Sequence, residues 1–221
     1  MRFDDSCRSR MMLRVTYRGN LAYAELPSGQ HGAHLMAMPA TTRWTAEMVR
    51  ALPDDGNRYE VIDGELFVTP SPTLRHQHAV TEMAYRLGAY LREHAVGCVL
   101  VSPADVTFPD GSLTQPDVFV APLILGRRPS EWKEITNLAL AIEVLSPSTA
   151  RADRRVKLRL FQRHHVPEYW IVDVDARLVE RWRPEDQRPE ILAETLEWQP
   201  DPAHPSLVID LAVYFGDVTG A

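Results

Sequence analysis

Cysteine is almost missing from this 221-residue chain: Cys7 and Cys98 are its whole complement, far apart and in no metal or redox spacing. A disulfide framework is excluded, and reduced, cytoplasmic thiols are the reading that follows. Long apolar runs are missing too. None approaches the roughly 18 residues of a membrane span, and no continuous apolar stretch opens the chain, so neither a membrane anchor nor a secretory signal is expected. There is no Gly-x-Ser-x-Gly elbow, Walker-type glycine loop, Gly-x-Gly-x-x-Gly or His-Glu-x-x-His, which removes support from hydrolases that use an activated serine or zinc. Nor is there an overall positive charge: the formal net charge is −6, which at first argues against a nucleic-acid partner.

The charge is unevenly laid out, however. Residues 184–221 carry eight acids against Arg188 alone, while residues 148–165 hold Arg151, Arg154, Arg155, Lys157, Arg159 and Arg163 against Asp153. For a polyanionic partner the distribution matters more than the sum. The basic run is the face expected to meet nucleic acid. The acidic C-terminal segment is expected to sit away from it or to contact a partner.

Residues 1–37 show neither a helical nor a strand period and are expected to be a disordered extension, with Met36 and Met38 standing just ahead of the first structural signal. From residue 38 to 221 the pattern is that of a single α/β domain. Thr45 is placed to cap a short helix ending near Leu52, and Asp63-Gly64 reads as a two-residue hairpin turn between strands at 58–62 and 65–69. Pro70-Ser71-Pro72-Thr73 leads into a helix over 74–95, with Val80, Met83, Leu87, Tyr90 and Leu91 on one stripe. Strands follow at 97–101, at 105–108 and through Asp117, and then a polar loop at 122–137. A buried strand at 138–145, a basic helix at 149–164 and strands at 169–173 and 178–183 complete the regular part. The remaining C-terminal residues are weakly patterned.

One carboxylate, Glu143, interrupts the apolar run Leu138 to Leu145. A charge inside a buried strand is costly unless compensated, so Glu143 asks for a cation. Alternation puts Ala139 and Ala141 on its face, where small side chains are expected to leave room for a ligand, and Leu140, Ile142 and Val144 on the other. Asp117 heads a second apolar strand, Val118-Phe119-Val120. Two carboxylates held by strands of one sheet suit Mg2+, which takes oxygen ligands and keeps several waters. Lys157 lies two turns into the helix that follows Glu143, from where an ammonium can reach back toward the strand end. Taken singly, each has a plainer reading: a strand-end glutamate paired with an arginine, a turn aspartate after Pro116, a solvated helix lysine. Glu60 reads as an exposed hairpin acid, and His76 and His78, at the start of the long helix, as solvated.

Read in order, Arg58-Tyr59-Glu60-Val61-Ile62-Asp63-Gly64-Glu65-Leu66, then Ser71-Pro72 with His76-Gln77, Gln115-Pro116-Asp117-Val118, Ile142-Glu143-Val144-Leu145-Ser146-Pro147-Ser148-Thr149, Lys157-Leu158 and Val166-Pro167-Glu168-Tyr169-Trp170-Ile171-Val172-Asp173 resemble the Uma family, a group assigned to restriction endonucleases in the PD-(D/E)XK nuclease superfamily. The match runs from about Pro39 to the end. The resemblance implies a restriction-endonuclease-like mixed β-sheet flanked by helices, with an α-β-β-β-α-β core. It further implies that Asp117 and Glu143, with the Val144 carbonyl, hold Mg2+ or Mn2+, that Lys157 is the catalytic lysine, and that Glu60 is an upstream acid. The sequence departs from the pattern at one point. The superfamily lysine stands two residues after the second acid, and here that position is Leu145, so the role passes to Lys157 on the following helix.

The expected function is therefore a Mg2+-dependent endonuclease hydrolysing phosphodiester bonds in DNA, with Arg151, Arg154 and Arg155 on backbone phosphates. One alternative is a catalytically silent nucleic-acid-binding module on the same fold. Another is an acid/base pair acting on a sugar, which would need no metal. A homodimer is compatible with the first reading, since cutting both strands takes two active sites.

Overall fold

The computed structural model describes residues 43–220 and, before them, two antiparallel strands, β1 (Arg14–Arg18) and β2 (Leu21–Glu25). The rest of the expected extension over 1–37 lies outside the described residues. The chain divides into two compact units, 1–43 and 44–221.

In the second unit, local chemistry sets the first elements. The Thr45 hydroxyl accepts the Met48 N–H and starts α1 (Ala46–Arg50). Asp63 and Gly64 take φ of 55° and 82°, the paired positive angles of a type I′ turn, so β3 (Arg58–Ile62) folds straight back as β4 (Glu65–Thr69). Thr73 caps α2 (Leu74–Glu93) through the His76 N–H. Then come β5 (Gly97–Val101), β6 (Val106–Thr107), β7 (Leu113–Thr114), β8 (Val118–Pro122) and β9 (Leu140–Val144). A continuous helical run follows, made of α3 (Ala150–Ala152), a π-helical turn (Asp153–Lys157) and α4 (Leu158–Arg163). The chain ends in β10 (Tyr169–Asp173), β11 (Leu178–Trp182), β12 (Glu190–Leu192), β13 (Thr195–Trp198), β14 (Leu207–Asp210) and α5 (Leu211–Thr219).

The centre is a six-stranded sheet in the order β12-β11-β10-β9-β8-β5. Of its pairs only β9 with β10 is parallel, and the helical run between them supplies the crossover that a parallel pair requires. A smaller four-stranded sheet, β4-β3-β7-β6, carries the hairpin. Both faces of the large sheet are covered, which is why its central strands run apolar at successive positions. Val118, Val120, Leu140, Ile142, Trp170 and Val172 face one core, closed by Met83 and Leu87 of α2 and by Tyr214 and Phe215 of α5. Phe119, Ala141, Tyr169 and Ile171 face the other, closed by Leu160 and Phe161 of α4 and by Ile62 beneath the small sheet. The fold is thus the mixed β-sheet flanked by helices that the sequence predicts.

Two expectations need correcting. The alanine face of β9 is not open: Ala141 is buried in the second core with Phe119, Phe161 and Ile171, and its small size lets α4 close over the strand. The C-terminal segment, weakly patterned as sequence, forms a strand pair and a helix. Asp210 caps α5 through the Val213 N–H, and Leu211, Tyr214, Phe215 and Val218 are buried. Among the described residues no helix is long and apolar enough to cross a membrane.

Candidate active site

The β8–β9 register sets Val118 opposite Ile142, so one step further Asp117 comes opposite Glu143 at the end of the pair. Asp117 then replaces a strand partner with its side chain. Its Oδ2 accepts the Val144 N–H at 2.9 Å and lies 3.0 Å from His76 Nε2, while Oδ1 accepts Arg58 Nη1 at 2.7 Å. An ionised carboxylate only accepts, so the His76 Nε2 carries the hydrogen. The loop before Asp117 is tied down by the Ser102 hydroxyl, which donates to the Gln115 and Pro116 carbonyls.

Glu143 is buried one strand over and takes the Lys157 ammonium on Oε1 at 2.8 Å. The same ammonium lies 3.0 Å from Glu60 Oε2 and 3.7 Å from Asp153 Oδ1. Glu60 is fixed on its other oxygen by the Thr114 hydroxyl and the Gln115 N–H. The four residues Asp117, Glu143, Lys157 and Glu60 are therefore all buried and gathered at one point, where β8, β9, the π-helical turn and β3 meet. The arginines are placed differently. All three are exposed, but Arg154 alone is paired: it lies along Glu180, with Nε at 2.8 Å and Nη2 at 2.6 Å from one oxygen, and reaches Asp173 at 3.5 Å.

Four carboxylates, Glu60, Asp117, Glu143 and Asp153, thus share two permanent cations, Lys157 and Arg58, with His76 beside them. The imbalance shows in their acidities. Burial opposes the charge on Asp117, but the hydrogen bond and charge of His76, followed by Arg58 and Lys157, outweigh it and hold this carboxyl well below the usual range. Burial pushes Glu143 well up; Lys157 opposes the rise, and the neighbouring Asp117, Asp153 and Glu60 add to it. Burial would lower the Lys157 ammonium, but Glu143, Glu60, Asp153 and Asp117 raise it well above its ordinary value, so it stays charged. Asp153, again chiefly through burial, is raised to about 6.

That surplus of buried negative charge is what a divalent cation would neutralise. Among the described residues no group of three or more His, Cys, Asp or Glu side chains is arranged as a ready-made metal site. Mg2+ does not require one: two carboxylates, a backbone carbonyl and waters satisfy it. Glu143 Oε2 makes no hydrogen bond among the described residues, and Asp117 Oδ1 accepts only Arg58, so both acids keep lone pairs for a ligand.

Two grooves lie beside the cluster, and of its acids only Asp117 lines one of them, the smaller. One, of about 590 Å3, is lined by Ser71, Arg75, Val144, Ser146, Ser148 and Arg154 among others, and a second, of about 240 Å3, by Asn57, Gln77, Ser102 and Asp117. Arg58, Pro72 and His76 line both. Of these, the sequence reading misses Arg58 and takes His76 as solvated. His76 is in fact buried, with its Nδ1 unpartnered. The signal was present, since 76, 79, 80, 83 and 87 step along one stripe of α2 and His78 falls off it. Arg58 likewise shares a strand face with Glu60. Asp153, one helical turn before Lys157, is the third residue missed.

A two-faced mixed sheet carrying paired acids at the ends of adjacent central strands is a restriction-endonuclease-like architecture. A crystal structure from Anabaena variabilis ATCC 29413, of a protein described as "a putative nuclease belonging to DUF820", has this fold with a TM-score of 0.63. The two chains are 21% identical, over 79% of this one and 99% of that one. Residues 46–213 match the Uma2 family, described as "Putative restriction endonuclease", and the chain belongs to that family. No curated protein matches it.

Proposed function

We propose that this protein is a divalent-metal-dependent endonuclease that hydrolyses phosphodiester bonds in DNA. The observation that carries the reading is the meeting of Asp117 and Glu143 in register on neighbouring strands, with the Lys157 ammonium 2.8 Å from Glu143. Membership of a family described as restriction endonucleases supports it. Asp117, Glu143 and the Val144 carbonyl would hold Mg2+ or Mn2+, which when bound polarises a phosphoryl oxygen and lowers the pKa of a coordinated water. Lys157, kept charged by its acids, stabilises negative charge developing on the phosphoryl group. Glu60 holds Lys157 from the opposite side. Arg58 and Arg75 line the larger groove and would anchor backbone phosphates, with the exposed Arg151 and Arg155 on the helical run beside it and Arg154 held by its own acids.

Supercoiled plasmid incubated with Mg2+ or Mn2+ tests the proposal. The wild type is expected to nick it, and Asp117→Ala and Glu143→Ala to lose about 100-fold or more of that rate while staying folded. Full cleavage by Asp117→Ala removes that residue from the mechanism. DNA that is retarded in a gel yet intact under every metal condition would instead favour the binding module.

A further inference from the structure

Lys157 has more acid around it than it serves. It donates a hydrogen bond to Glu143 Oε1 at 2.8 Å and is ion-paired with Glu60 Oε2 at 3.0 Å, while Asp153 Oδ1 stands at 3.7 Å, beyond a hydrogen bond. Asp153 is wholly buried, and neither of its oxygens makes a hydrogen bond of ordinary geometry, although the Lys157 charge and the nearby Thr149 hydroxyl temper the rise that burial causes. Buried polar atoms are nearly always satisfied, so a carboxylate left with both oxygens idle needs a reason. Its backbone setting is also unusual. Asp153 opens the π-helical turn that Lys157 closes, and the Tyr169 hydroxyl donates to the Asp153 carbonyl, pinning the turn at its first residue. Such turns are rare and gather at functional sites. The three acids around the ammonium thus differ in kind. Glu60 is held by Thr114 and Gln115, Glu143 keeps a free oxygen, and Asp153 is idle.

We propose that Asp153 is a positioning residue that receives the Lys157 ammonium when a divalent cation engages Glu143. The inference rests on the metal reading above. A shift of about 1 Å brings the 3.7 Å separation to hydrogen-bond length. Glu60 keeps its hold, so Lys157 pivots about that contact, stays protonated and remains beside the site. No covalent bond changes. Without Asp153 the ammonium has no second buried acceptor and stays locked on Glu143, in competition with the cation.

The test uses the full chain and Mg2+ alone. Calorimetric titration gives the affinity, and the 15N signal of the Lys157 ammonium is followed over the same titration, in wild type and in Asp153→Asn. In the wild type the ammonium signal is expected to shift as Mg2+ binds; in Asp153→Asn the shift should vanish and the affinity fall about tenfold. Losing a nearby negative charge also weakens cation binding, so the pair is repeated with Lys157→Gln. In that background only the charge effect remains, and Asp153→Asn is expected to cost clearly less affinity than it does with Lys157 present. Equal losses in both backgrounds would make Asp153 a fixed charge and overturn the proposal. An ammonium signal unchanged at saturating Mg2+ overturns it from the wild type alone, whether or not the variants fold. A wild type that binds no Mg2+ overturns the metal reading, and the proposal with it.

Discussion

Asp117 accepts hydrogen bonds on both carboxylate oxygens, and His76 is the partner that the sequence hides best. Burial works against the Asp117 charge, and the His76 hydrogen bond is the largest contribution opposing that, so the folded carboxyl titrates below its unfolded range. A depressed carboxyl contributes stability that is present above its unfolded pKa of about 4 and lost as pH falls through the folded value. His76→Ala is expected to cost roughly 1–3 kcal/mol at neutral pH and to bring acid unfolding on at higher pH. Urea midpoints between pH 7 and 3 check this, and an acid limb identical to wild type would make His76 a bystander. Asp153 behaves in the opposite sense. Burial raises it from 3.8 to about 6, so the folded chain holds a proton that the unfolded chain releases. Stability should therefore fall as pH rises across that window. Asp153→Asn is expected to remove this slope and to melt above wild type at pH 7; melting curves that stay parallel from pH 4 to 7 would contradict it.

At the scale of elements, the site depends on how tightly the sheet closes around β8. Gly97 opens β5 opposite Pro122, and a Cβ placed there would lie 2.7 Å from Val120 Cγ1 and 2.8 Å from the Ala121 carbonyl oxygen. The backbone oxygen cannot swing aside as a side chain can. Gly97→Ala is therefore expected to destabilise by about 1–3 kcal/mol or more, read from chemical denaturation. If β8 is displaced along its length, Asp117 at its other end should move as well, and metal affinity should weaken in the same variant. The helical run after β9 serves two ends. Its π-helical turn turns Lys157 inward, and its last residue, Arg163, reaches Asp110 and Asp63, the acids in the turns of the small sheet. That tie holds β3, and Glu60 with it, against the helix.

Over the whole molecule, the basic run is less basic than it reads. Lys157 is interior, Arg154 is paired with Glu180 and Asp173, and Arg163 is paired with Asp110 and Asp63. Among the described residues Arg151, Arg155 and Arg159 are exposed and make no ion pair. If the run meets DNA, those three carry the electrostatic attraction. The Arg151→Ala, Arg155→Ala double variant is expected to weaken binding of all duplex sequences alike and to reduce the slope of log affinity against log salt by about 2. A slope that does not change would place the DNA elsewhere.

The chain's own residue pattern determined what depends on neighbours a few positions apart. Asp63-Gly64 makes its turn because two adjacent positive φ angles suit those residues, Thr45 and Thr73 cap because a hydroxyl meets an N–H three residues on, and Glu143 stands out because a charge in an apolar strand is costly wherever that strand lies. Asp117 and Lys157 became readable only beside Glu143, and Glu60 only through resemblance to a family, because alone each has a commonplace role. The tertiary structure decided the rest. Arg58 and His76 meet Asp117 across 59 and 41 residues of chain, and Asp153 is buried beside Lys157 only in the folded chain. Which acids share which cations depends on desolvation and distances of a few ångströms, and those arise only when the sheet and the helical run are packed together.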